Sequence, residues 1–155
     1  MVIKNDRLLL IITDYGSFNN FLAELVHKIV DGENLEVHVI CSNRKIIDIN
    51  SKYTFDGKYI TFHFLDIPRS FNIIDQISCS WRINQLIKAI DARVIHIHFT
   101  TAIFTTLLLS SGRKNNVFIG TFHGLNSVVS VGLKRFAYKL IESFCFAKLD
   151  QVFVL

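Results

Sequence analysis

Short apolar runs alternate with helical periods along the whole chain. Arg7–Thr13 reads as a buried strand around the continuous apolar run Leu8–Ile12, the pattern of a strand covered on both faces. Ser17 stands where an N-cap belongs, and Phe18, Phe21, Leu22, Leu25, Val26, Ile29 and Val30 follow at helical spacing until Gly32. Leu35–Cys41 is β-branched and alternating, and Tyr59–Leu65 repeats the pattern, so both are expected to be strands. Ser42–Gly57 between them is polar and irregular, with a short helix expected around Ile46–Ile49. Ile73–Ile90 predicts a helix with Cys79, Ile83, Leu86, Ile87 and Ile90 on one face. Arg93–His98 reads as a fourth strand, Thr100–Ser111 as a short apolar helix ended by Gly112, and Val117–Phe122 as a fifth strand. A loop rich in Gly, Ser and Asn leads into an amphipathic helix marked by Leu133, Phe136, Ala137, Leu140, Ile141 and Phe144. That stripe is expected to face the sheet. Gln151–Leu155 then opens a sixth strand.

Strands alternating with helices predict an α/β fold with a parallel, Rossmann-like sheet, covered by helices on both faces and ordered 3-2-1-4-5-6. The 155 residues, 17.8 kDa, suit one such domain spanning 1–155. In these sheets ligands gather beyond the carboxyl ends of the strands, where the strand order reverses. Strands one, four and five then bring Asp14–Ser17, His98–Thr101 and His123–Asn126 to one place.

His96 and His98 sit two apart on a strand and share a face. His96 lies deeper and reads as a hydrogen-bonded core histidine. His98 is at the strand end, where function concentrates. His123 ends the next strand beside Gly124, whose lack of a side chain allows close backbone approach. No H-E-x-x-H helix or cysteine pair completes a metal set, so neutral imidazoles touching hydroxyls or a phosphate are the expected chemistry. The first strand–helix turn has Gly16 and Ser17 but no G-x-G-x-x-G, and no G-x-x-x-x-G-K-[ST] occurs. Backbone N–H groups there are candidates for a phosphate; a tight turn with an N-cap is the alternative. There is no G-x-S-x-G elbow and no D-x-D pair.

Composition narrows the class. Half of the residues are hydrophobic and 19% are charged, which excludes disorder. The 3 cysteines are widely spaced and read as reduced thiols. Mean hydropathy is +0.36, yet the longest apolar runs are far short of the roughly 18–20 residues a spanning helix needs. The net charge of +4 is unevenly placed: residues 1–109 are balanced, whereas within 110–148 Arg113, Lys114, Lys134, Arg135, Lys139 and Lys148 meet only Glu142, and Asp150 follows. A basic C-terminal third suggests an anionic neighbour, or else a solvated helix face.

Taken in order, Val94–Phe99, Val117–Gly124, Lys134–Glu142 and Asp150–Val154 resemble the N-terminal domain of GT-B-fold glycosyltransferases, specifically the large retaining family four. The resemblance implies two Rossmann-like domains facing across a cleft, the N-terminal one holding the acceptor and the C-terminal one a nucleotide-sugar. It implies retaining, metal-independent transfer without a further cofactor, to a lipid-linked saccharide in surface polysaccharide (lipopolysaccharide-type) synthesis. His98 and His123 become cleft histidines with catalytic roles. Gly16, Ser17, Gly124 and Asn126 become substrate or phosphate contacts. Lys134, Arg135 and Lys139 are expected to face an anionic membrane, on the cytoplasmic side. Nucleic acid is not an expected partner. The family's donor-side E-x7-E motif is absent, so the donor-binding half is expected from a further domain or a separate subunit, and the chain alone is expected to be inactive. A non-catalytic subunit of a split glycosyltransferase and a flavodoxin-like binding module are the alternative readings.

Overall fold

The computed structural model describes residues 7–32, 35–44, 59–70, 72–110 and 116–155. Six strands and six helices alternate along them: β1 (Arg7–Asp14), α1 (Tyr15–Phe21), α2 (Ala23–Gly32), β2 (Glu36–Ser42), β3 (Ile60–Phe64), α3 (Ile73–Ile90), β4 (Val94–His98), α4 (Thr100–Leu108), β5 (Val117–Phe122), α5 (Asn126–Val129), α6 (Gly132–Lys148) and β6 (Gln151–Val154). All strands pair in parallel in the order β3-β2-β1-β4-β5-β6, the order the sequence pattern predicts. The helix expected around Ile46–Ile49, together with Gly112, Arg113 and Lys114, lies outside the described residues.

The unbroken apolar run of β1 is explained by the two cores it serves. Leu9 and Ile11 pack into one, with Ile83, Ile87, Ile103 and Phe118; Leu10 and Ile12 pack into the other, with Phe18, Val26 and Val39. Side chains alternate across a strand, so a run apolar at every position has to be covered twice. Burial of this kind contributes roughly 1.5–3 kcal/mol for each large aliphatic side chain and anchors the sheet edge that carries the polar residues. All 3 cysteines are free and buried; burial pushes the Cys41 and Cys145 thiols up to about 12 and Cys79 to about 11, so they stay protonated.

Three local expectations are revised. The cap of the first helix is Asp14, not Ser17: the Asp14 carboxylate accepts from the Ser17 N–H, the helix begins at Tyr15, and Ser17 falls in its first turn. The expected single helix to Gly32 is divided at Leu22, although Leu22 N–H to Phe18 and Val26 N–H to Leu22 keep the ladder connected. On α6 only Glu142 and Cys145 are buried, with Ile141 and Phe144 half-buried, while Leu133, Phe136 and Leu140 are exposed. The apolar stripe therefore faces the core only along its C-terminal half. Along the N-terminal half only Tyr138 is partly buried.

Gly120 on β5 leaves room for the side chains of Leu149 and Ile103 against the sheet. A Cβ there would stand 2.5 Å from Leu149 Cδ1 and 3.3 Å from Ile103 Cδ1. Gly120→Val is therefore expected to lower stability by about 1–3 kcal/mol through overpacking, with part of the loss recovered on adding Leu149→Ala. Urea unfolding measures this, and a wild-type midpoint for the single variant would contradict the packing.

Candidate functional site

Because every strand is parallel, all carboxyl ends lie along one edge. At the end of β1, Asp14 is 1% exposed and accepts from the Ser17 N–H (2.9 Å), the Ser17 hydroxyl (3.1 Å) and Arg69 (2.7 Å). A buried carboxylate needs such partners, because its desolvation is otherwise costly. Arg69 comes from the loop after β3, and Gln76 holds that loop. The wholly buried Gln76 donates through Nε2 to the Ser70 carbonyl (2.8 Å) and more loosely to that of Pro68 (3.4 Å), and it accepts from the Thr105 hydroxyl. The loop is thereby tied to both α3 and α4. Gly16 is buried in the first turn of α1, and the Ser17 amide, a phosphate candidate from sequence, is engaged by Asp14.

The histidines converge from β4 and β5. His96 Nε2 is 2.8 Å from the Thr121 hydroxyl, fixing the deeper ring. The His96 and His98 rings are 4.2 Å apart, and His98 Nδ1 lies 3.4 Å from His123 Nε2. His98 is 4% exposed, and its Nε2 has no hydrogen-bond partner among the described residues. Leaving such a group unsatisfied costs about 1–3 kcal/mol, so this atom is a polar demand at the edge, as is the buried Ser42 hydroxyl at the end of β2. Burial first, then the neighbouring histidines, depresses His98 to about 3. Burial also lowers His96 and His123. The cluster is therefore neutral at pH 7 and acts through hydrogen bonds rather than charge.

Aromatic rings frame the half-buried His123. Phe99 stacks on it at 4.3 Å between ring centroids and Phe21 approaches at 4.9 Å. Phe99 has φ 72°, an uncommon value for a residue with a side chain, and costs of order 1–3 kcal/mol unless its surroundings enforce it. It is the hinge between β4 and α4, and α4 opens there with no side-chain cap. Gly124 has φ 86°, the left-handed region that glycine enters most readily, and turns the chain from β5 into α5, where Asn126 is the first residue. The next amide, Ser127 N–H, donates to Glu142 Oε1 at 3.2 Å; both residues are buried, so this bond fastens the His123–Ser130 segment to α6. Lys134, Arg135 and Lys139 are exposed on the N-terminal half of α6.

His98 and His123 are thus brought into contact as the sequence predicts, while Gly16, Ser17, Gly124 and Asn126 line the same edge on their own turns. Three residues that build the edge carry no sequence signal. Arg69 and Gln76 act through single long-range contacts, and Glu142 looks on sequence like one acid offsetting a basic helix. Among the described residues no three His, Cys, Asp or Glu side chains group as a metal site.

The family model described as Glycosyl transferase 4-like matches residues 8–154. No curated protein matches the chain. Among solved structures, sucrose-phosphate synthase from Thermosynechococcus elongatus aligns with a TM-score of 0.67 at 11% identity, covering 94% of this chain and 41% of that one. A UDP-N-acetylglucosamine 2-epimerase aligns at 0.60 and 14% identity (97% and 42% covered), and Arabidopsis thaliana UGT89C1 complexed with UDP at 0.57 and 11% (97% and 45%). At such identities the likeness is one of fold, and the chain spans about two-fifths of the length of these structures. With a single family model matching from β1 to β6, the chain belongs to the Glycosyl transferase 4-like family.

Proposed function

We propose that this chain is the acceptor-side domain of a GT-B glycosyltransferase that moves a sugar from a nucleotide-sugar to a lipid-linked saccharide during surface polysaccharide synthesis. The observation that carries the reading is the neutral His98–His123 pair at the carboxyl edge of a glycosyltransferase-family sheet. Two of the fold neighbours are named for UDP or a UDP-sugar, which supports a nucleotide-sugar as the donor. The donor grip and its carboxylates come from a second domain or a separate subunit. In the retaining, metal-independent reaction the acceptor oxygen bonds to the anomeric carbon as the bond to the nucleotide phosphate breaks. The hydroxyl proton passes to a departing phosphate oxygen. His123, partly open and neutral, orients the acceptor hydroxyl, and His98 fixes the His123 ring from below. Gly124, which has no side chain, lets substrate approach the backbone closely, and Asn126 and Ser17 contribute to the same contact surface.

The exposed half of α6 supports a peripheral position on the cytoplasmic leaflet. Val131 and Leu133 are 83% and 85% exposed, next to the exposed Lys134, Arg135 and Lys139. No described helix is long and apolar enough to cross a membrane. Apolar side chains beside cations suit a headgroup boundary, where each Lys or Arg near an anionic surface contributes on the order of 1 kcal/mol.

In the enzyme completed with its donor half, His123→Ala is expected to lower kcat/KM by roughly 10²-fold or more with the fold retained. The 155-residue chain by itself is expected to show no turnover. Steady-state kinetics with circular dichroism checks both, and wild-type kinetics in the variant would remove His123 from the mechanism. For the membrane surface, co-sedimentation is expected with anionic but not neutral vesicles, weakened by salt and by Lys134→Glu with Lys139→Glu. Equal partitioning to both vesicle types would contradict it.

A further inference from the structure

Beyond the carboxyl end of β3, the loop into α3 borders an open pocket of about 500 Å³. Three guanidinium groups line it, Arg44, Arg69 and Arg82, with the carboxylates of Asp66 and Asp75. The carboxylates offset much of the charge; the surplus is in hydrogen-bond donors. Each guanidinium carries roughly five N–H donors in a planar fork. Arg69 gives one nitrogen to buried Asp14, Arg44 lies 3.4 Å from Asp66, and Arg82 has no carboxylate partner among the described residues. Among the described residues most of these donors have no acceptor, and they line an open cavity.

The pocket wall is held in place. Gln76 bonds the carbonyls of Ser70 and Pro68, and the Cys79 thiol donates to the Asp66 carbonyl at 3.4 Å. Asp14 fixes Arg69 from beneath. A donor-rich pocket whose central arginine is already oriented matches a tetrahedral oxyanion, whose terminal oxygens can bridge more than one guanidinium. A single planar carboxylate would satisfy one fork. We infer that this pocket, set across Asp14 from the histidines, binds a phosphoryl group. The glycosyl-transfer reading bears only on what carries that group, which would be the acceptor.

The exposed Ile74, Ile77 and Trp81 lie beside Ser78 and Arg82 on α3, so the surroundings admit a phosphate on a soluble sugar or on a hydrocarbon chain. The two are separated by titrating the 155-residue chain with glucose 1-phosphate in one arm and with neutral vesicles doped with a long-chain alkyl phosphate in the other. Binding in either arm, weakened at least about tenfold by Arg82→Gln and by Arg44→Gln, is the expected result, with circular dichroism confirming that both variants fold. The arm that binds identifies the source. No binding in either arm, equal affinity in both variants, or glucuronate binding as tightly as glucose 1-phosphate would overturn the inference. Because the readout needs no sugar transfer, its failure leaves the transferase reading standing, and loss of transfer with phosphate binding intact has the converse meaning.

Discussion

Parallel strand pairing is the constraint from which the rest of this molecule follows. Each parallel strand leaves the sheet at the same edge as its neighbours, so β1, β4 and β5 have to release their turns side by side. Asp14, His98 and His123 are neighbours for that reason, although long stretches of chain separate them. The same pairing buries both faces of β1 and leaves few places where polar side chains can stand. At the edge they meet low dielectric surroundings without leaving the core entirely.

That position decides their chemistry. Asp14 is buried but answered by Ser17 and Arg69, so its charge is held in place. His98 is buried and only partly answered, so it stays neutral. Acid and imidazole thus differ in character because of their partners. Gln76 and Glu142 lie behind the edge, and each uses a buried side chain to fasten a loop that bears candidate contacts, Arg69 in one case and the His123–Ser130 segment in the other.

Much of this was legible in the chain. The double-sided apolar run of Leu8–Ile12, the alternation at Leu35–Cys41 and the helical face of Ile73–Ile90 require the layered sheet, and the sheet requires the convergence of His98 and His123. What was not legible depends on contacts rather than period. Ser17 looked like a cap because Ser commonly caps helices, yet the acid three residues earlier reaches its amide first. The stripe on α6 is periodic throughout, but periodicity cannot tell how far the sheet extends beneath a helix. Arg69 and Gln76 sit in or beside a loop with no repeating pattern, and only their partners reveal them.

At the carboxyl edge stands a neutral histidine pair, with His98 buried and His123 half-buried. Folded His98, depressed to about 3, takes up no proton where an unfolded histidine does, near 6.5. Its contribution to stability is therefore complete above about pH 6.5 and declines as the pH falls toward the folded value. Titration of the His98 ring by NMR in the folded 155-residue chain reads this directly. The ring signals should stay at their neutral positions down to about pH 5. A His98 midpoint near 6.5 would mean an open, solvated edge and would contradict the site described above.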